Sequence, residues 1–431
     1  MRKFTKGLIS LVMLAVMIII ILPNQNTEAA VKKTTIKTMD VKSTKAKSKT
    51  TYSDLLDRAV TDKYIMALRT NSKGKIVLQT TTDGKDYKDI DIISIVKKEM
   101  GTKSDDIKFY EIGAFEDTNT FYITGNIDQS ENFLITTKDG SKFTFSSLEC
   151  TIGGGFDVGY IYKVGSNYLY TVAKGDSMGG GLTQEAPYWI SKDLKKWELM
   201  NTPVNKKGVA LGNMWRLEGV TNKGIVISAL DENYEPYQMY YSTDLKTFKK
   251  VTSGLNYKAQ ATWIGTLWEE SLIRREVVFK NDEIQSIQFV TTQDYKTWKT
   301  VFNYKQANYS SYTQGATYYG TDKKLFLIME REKDNSLFDY SSKSKKFVEY
   351  STPIKASLIS GKVYDDKYQY MVYDKKYILV SDNNFVTAYK FKLPLSNIDS
   401  LATMKDKLIV QGKSNYYISI SDIGKAIKNK K

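Results

Sequence analysis

Tyr240-Tyr241-Ser242-Thr243-Asp244-Leu245-Lys246-Thr247-Phe248 reads as an aromatic strand that enters a short polar turn and leaves it on another aromatic. Such a turn locks itself. Asp and Ser/Thr side chains hydrogen-bond backbone groups two residues on, without help from distant parts of the chain. The aromatic that follows suits re-entry into a strand, where its ring packs between neighbouring sheets. Written as Ser/Thr-x-Asp-x-x-x-aromatic, the unit recurs at Thr81, Asp83 and Tyr87, at Thr137, Asp139 and Phe143, at Ser191, Asp193 and Trp197, and at Thr292, Asp294 and Trp298. Ser341 to Phe347 repeats it with Lys343 in place of the Asp, and Ser381 to Tyr389 keeps part of it in longer form.

The copies stand roughly fifty residues apart, a period typical of repeat architectures. Each period holds three or four short strands; residues 108–115, 120–125, 132–137 and 143–147 show them most clearly. A four-stranded sheet repeated radially is a β-propeller blade. The prediction is an all-β propeller over residues 52–424. It has seven blades if the C-terminal strands at 400–404, 407–410 and 416–420 merge with the first blade, and eight if they stand alone. Seven is preferred. Joining the two chain ends in one sheet would remove exposed edges. Residues 91–100 read as a short helix between blades one and two, with Ile92, Ile93 and Val96 at helical spacing.

The unit resembles the Asp-box, also called the bacterial neuraminidase repeat, whose pattern is Ser-x-Asp-x-Gly-x-Thr-Trp in the turn between a blade's third and fourth strands. Gly84 and Gly140 match the family glycine, whereas Leu194, Leu245 and Tyr295 replace it. Thr247-Phe248 and Thr297-Trp298 match the closing pair. The resemblance covers residues 60–390. It implies that Asp83, Asp139, Asp193, Asp244 and Asp294 are structural turn residues, away from any active site. Sialidases share such boxes but carry an Arg-Ile-Pro and three arginines for the substrate carboxylate. No Arg-Ile-Pro occurs here, so the sialidase catalytic motif is absent. The turns at Ser191 and Ser242 are also similar to those of five-bladed arabinosidase-type glycosidases, whose Glu-Gly-Pro segment is partly matched by Glu185-Ala186-Pro187.

Arg2, Lys3 and Lys6 followed by the apolar run from Leu8 to Leu22 read as an export signal over residues 1–30, with small residues for cleavage after Ala29 or Ala30. The run is short for a membrane span, which needs roughly 20 residues; an uncleaved anchor is the alternative. Residues 31–51 hold seven lysines against Asp40 alone, and are expected to form a disordered basic lead or a loose strand. Residues 425–431 read as a solvated basic tail. The whole chain carries a net charge of +15.

The chain has no histidine and one cysteine, Cys150. Ser-His-Asp and Cys-His chemistry, His-based zinc sites and internal disulfides are thereby excluded. An exported chain without disulfides fits a Gram-positive bacterium. Cys150 is expected in the core. No phosphate-cradling glycine pattern stands in a strand-to-helix context, so no cofactor and no metal are expected. A monomer is expected.

Chemistry in such a chain falls to carboxylates, which glycosidases use in pairs. Asp157 and Glu185 lie in or beside Gly-rich stretches. Trp215-Arg216-Leu217-Glu218 reads as an innermost strand beside the axis, and Trp263, Trp268 and Glu269 hold the same place one blade on. Rings beside carboxylates suit sugar faces and hydroxyls; equally, the rings suit blade packing. Two readings follow. The first is a secreted binding propeller at the cell envelope, held to glycan or anionic wall polymer by its charge, with any contact to membrane made only through the signal segment or surface charge. The second is a secreted glycoside hydrolase with paired carboxylates in the axial pocket. Nucleic acid is not an expected partner, because base-reading arginines are scarce.

Overall fold

The computed structural model describes residues 32–48, 50–128, 131–148, 157–174, 188–204, 214–231, 236–252, 254–255, 260–268, 271–280, 283–310, 317–319, 325–330, 334–341, 343–344 and 346–430. These form eight sheets arranged as a β-propeller, which corrects the preferred count of seven to the larger alternative: the C-terminal strands make a sheet of their own instead of merging with the first blade. Blades I to VIII start at Tyr52, Ile107, Asp157, Met214, Gln260, Thr317, Ile359 and Ser400. Each runs outward by antiparallel pairing of consecutive strands, and the first strands of blades I to V, and of VII and VIII, approach their neighbours around the axis.

The second strand of a blade is sandwiched between neighbouring blades, so it reads as an unbroken apolar run rather than an alternation. Gly224–Leu230, for example, is buried at every position. Every seam between neighbouring blades has its own apolar cluster, eight in all, including one between blades VIII and I. That last cluster closes the ring.

The aspartate turns sit at one station, between third and fourth strands. Asp83 Oδ1 accepts the N–H groups of Lys85 (2.8 Å) and Asp86 (3.0 Å), and Asp193 Oδ1 those of Lys195 (2.8 Å) and Lys196 (2.9 Å). Asp139, Asp244 and Asp294 each accept the equivalent pair. The residue after each Asp is left-handed, whether Gly84 and Gly140 or Leu194 (φ 63°), Leu245 (φ 60°) and Tyr295 (φ 59°). A left-handed non-glycine residue costs about 1–2 kcal/mol. Burying a leucine returns about 1.5–3 kcal/mol, and Leu194, Leu245 and Tyr295 each fill the seam with the preceding blade. Burial wins. At Gly84 the preceding blade fills that space itself: a Cβ would meet Ile409 Cδ1 at 2.1 Å.

The lead at residues 31–51 departs from the disordered alternative and forms strands. Lys32–Lys33 (β1) adds in parallel to the outer strand of blade VI, and Thr35–Thr38 (β2) in parallel to that of blade VII. Thr44–Lys45 (β3) then supplies the fourth, antiparallel strand of blade VIII, and Lys47 bridges to Asp86 of blade I. The segment is therefore an ordered strap across four blades. Its composition misleads because strand addition uses backbone groups, which every residue carries; among its described residues only Thr34, Met39 and Ala46 are buried. The tail also differs. Ile420–Lys428 forms a helix (α2) whose Ile423 and Ile427 pack into the VII–VIII seam. The short helix after blade I spans Ile92–Met100 (α1), capped by Asp91, which accepts the Ser94 N–H, and stopped by left-handed Gly101.

Candidate functional site

Of the residues singled out from the sequence, the structure brings Trp215, Arg216 and Glu218 onto the axial strand of blade IV, Met214–Thr221. Trp215 faces sideways into the III–IV seam, 5% exposed, with its ring 5.7 Å from that of Tyr240. It packs blades and offers no open face. Glu218 sits at a β-bulge and is 2% exposed. Arg216 Nη2 is 2.8 Å from its Oε1, and Ser228 Oγ donates to the same oxygen. A carboxylate paired this closely serves structure better than proton transfer. Asp157, Trp263 and Trp268 lie on the axial strands of blades III and V, but only their backbone is described. Glu185, Glu269 and Cys150 fall outside the described residues.

Two carboxylates that the sequence did not flag stand out on the axial strands of blades I and II. Asp57 and Glu111 each adjoin a β-bulge, which turns a side chain out of regular alternation. Asp57 Oδ2 accepts the Ile112 N–H at 2.9 Å and ties the two strands together. Glu111 Oε1 accepts from Tyr122 Oη at 2.9 Å, its Oε2 is buried with no close hydrogen-bond partner among the described residues, and the Ile161 backbone near by favours the ionised form. Burial pushes the Glu111 carboxyl up to about 7, and the nearby Asp57 charge adds to that against the Tyr122 hydrogen bond. Tyr162, on the axial strand of blade III, is raised to about 12 by burial first and the Glu111 charge second. Leu56 and Tyr160 are exposed large side chains on these same strands, and Tyr162 is partly exposed. One carboxyl poised near neutrality beside another with exposed rings near by is a pattern compatible with acid–base work or with sugar contact.

The outer rim carries a different chemistry. Lys85, Lys195, Lys246 and Lys296 each stand two positions after a turn aspartate and are exposed; Lys142 stands three after Asp139. The strap adds exposed Lys32, Lys33, Lys42, Lys45 and Lys47 along the outer strands of blades VI to VIII and I. The turn geometry fixes the lysine backbone, because these residues donate their N–H to the aspartate.

No family model matches the chain, and no curated protein does. Among solved structures it is similar to YCF48 bound to D1 peptide, at 12% identity over 89% of this chain and 98% of that one, TM-score 0.45. It is similar to Sqt1 of Saccharomyces cerevisiae at 7% identity over 88% and 99%, TM-score 0.49. The β-propeller domain of the Trilobed protease from Pyrococcus furiosus gives 10% identity over 67% and 80%, TM-score 0.39. The propeller assignment stands on the eight sheets and eight seams of this chain.

Proposed function

We propose that this chain is an exported binding propeller that holds an anionic polymer or glycan of the bacterial envelope along its lysine-bearing rim. The observation that carries the reading is the repetition of exposed lysine at one station of successive blades, continued by the strap. Each surface lysine alone attracts weakly, but a row of them at fixed spacing suits a partner whose negative charge also repeats. The reading of residues 1–30 as an export signal and the net charge of +15 are consistent with it. The test is binding of residues 31–431 to purified walls before and after removal of their anionic polymers. Retention is expected to fall as salt rises toward roughly 0.5 M; retention that ignores both salt and polymer removal would overturn the proposal.

The glycoside hydrolase reading moves from blades III–V to Asp57 and Glu111, on the strength of the raised Glu111 carboxyl. Its expected signature is hydrolysis of a wall polysaccharide that Glu111→Gln abolishes without loss of wall binding. Wild-type protein inert across a polysaccharide panel would count against it.

A further inference from the structure

A cavity of about 420 Å³ opens where the strap crosses from blade VIII to blade I. Three stretches distant in sequence build it: residues 45–46, 48 and 50–52 of the strap and first axial strand, the hairpin at 71–73, and Ser414 with Asn415 of blade VIII. They meet only when the ring is closed. The size is that of a small-molecule site.

The lining is one-sided in charge. Lys45 and Lys73 contribute ammonium groups, and no carboxylate belongs to the lining. Asn71 Oδ1 already accepts the N–H groups of Lys73 (2.9 Å) and Lys75 (3.0 Å), so what Asn71 has left to offer is its amide NH2, a donor. The hydroxyls of Thr51, Ser72 and Ser414 make no side-chain hydrogen bond among the described residues, and can donate or accept. Behind this lining the wall is a hydrogen-bonded network. Arg69, fully buried, donates to Asn415 Oδ1 (2.9 Å) and to Gly412 O (2.6 Å), with its guanidinium carbon 4.3 Å from the Tyr52 ring centre. Asn415 Nδ2 donates to Gln79 Oε1 at 3.0 Å, Gln79 Nε2 donates to Tyr52 Oη, and Tyr52 Oη donates to Asp89.

We propose that this cavity binds a single phosphate-bearing polyol or sugar unit, its anion held between Lys45 and Lys73 and its hydroxyls by Asn71, Ser72 and Ser414. The proposal deepens the rim reading: the rim attracts a polyanion along its length, and the cavity recognises one unit of it. Binding is linked to ring closure, since the ligand contacts both sides of the closing seam.

Calorimetric titration with glycerol 3-phosphate and with the diester glycerophosphoglycerol tests it, with glycerol as the uncharged control. At least one phosphate is expected to bind at one site per chain, to raise Tm by about 3 °C at roughly 100 Kd, and to lose tenfold or more in affinity in Lys45→Gln/Lys73→Gln. Preference for the diester assigns the site to units within a chain, and preference for the monoester to a terminal or free phosphate. Ser72→Trp, which fills the cavity from an exposed position without touching either charge, is expected to block binding as well. Lys195→Gln/Lys196→Gln on blade III is expected to weaken wall retention and leave the small-probe affinity unchanged, so the rim and the cavity fail separately. Phosphatidylglycerol vesicles that bind the Lys45 and Lys73 double variant as well as they bind the parent, with no response to either soluble probe, would overturn the cavity proposal. So would probe affinity unchanged in both the charge variant and Ser72→Trp.

Discussion

The seam between blades I and II and the seam between blades VIII and I do the same job with different materials. The first is apolar: thirteen buried side chains, among them Phe121, Phe133, Ile123 and Ile135, with α1 packed against them through Ile92 and Val96. The second has six, two of them alanines, and relies on hydrogen bonds spreading from buried Arg69. The difference follows from chain order. Blades I and II are neighbours in sequence and meet by local collapse. Blades VIII and I are the two ends, so their meeting closes the longest loop in the molecule and depends on specific pairing. An apolar seam tolerates imperfect register, whereas a guanidinium between an amide oxygen and a carbonyl does not. The strap belongs to the same solution at this seam: Thr44–Lys45 supplies the outer strand of blade VIII, and Lys47 bridges to Asp86 of blade I.

Removing the strap is the most severe way to break the contrast. Deletion of residues 31–47 takes away the outer strand of blade VIII, the buried Met39 and Ala46, and the pairing with blades VI and VII. A loss on the order of 5 kcal/mol is expected, seen as a lower Tm with early proteolysis in blades VIII and I. An unchanged Tm would mean that the strap does not close the ring.

Matched substitutions sharpen it. Arg69→Met keeps much of the volume but leaves Asn415 Oδ1 and Gly412 O without their donor, at about 1–3 kcal/mol each. Phe133→Leu in the I–II seam keeps an apolar filler and is expected to cost about 1 kcal/mol. Chemical denaturation of the two variants checks the order; equal losses would erase the distinction between the seams.

The smallest effect concerns the turns, which are common to both regions. Partial burial works to raise the carboxyls of Asp244 and Asp294, yet the N–H and hydroxyl donors of each turn outweigh it and hold both at about 2. Their folded values lie below the unfolded value of 3.8, so the stability they contribute is present above about pH 4 and is lost as pH falls toward 2. Asp244→Asn is expected to cost about 1 kcal/mol at pH 7 and to flatten the acid arm of a Tm-against-pH profile. A profile of unaltered shape would detach the carboxylate from the turn.

The turns made the ring legible in the sequence, because a local hydrogen-bonding unit writes itself into residue types at fixed spacing. The eighth blade was harder to read for the same reason. It ends in α2 and borrows its fourth strand from Thr44–Lys45, so it has no aspartate turn to announce it. The strap was only half legible, as either disorder or a loose strand, because its lysines and threonines bury little and its strands pair mainly through backbone groups. Leu194, Leu245 and Tyr295 looked like mismatches to a glycine position, and only the neighbouring blade explains them. The candidate site divided along similar lines. Trp215 was visible as a ring on an axial strand, but not the seam it fills. Glu111 was passed over because its setting depends on a bulge and on Asp57 of another blade, neither of which leaves a mark in residue order.

Hydrogen exchange on residues 31–431 tests the ordered strap most directly. Thr34, Thr35, Met39, Ala46 and Lys47 donate their backbone N–H to Ser351, Val386, Lys390, Asn415 and Lys85. Their amides are expected to exchange as slowly as those of the outer strands they join. Exchange of all five at unstructured-peptide rates would contradict the closure of this ring by its own N-terminal segment.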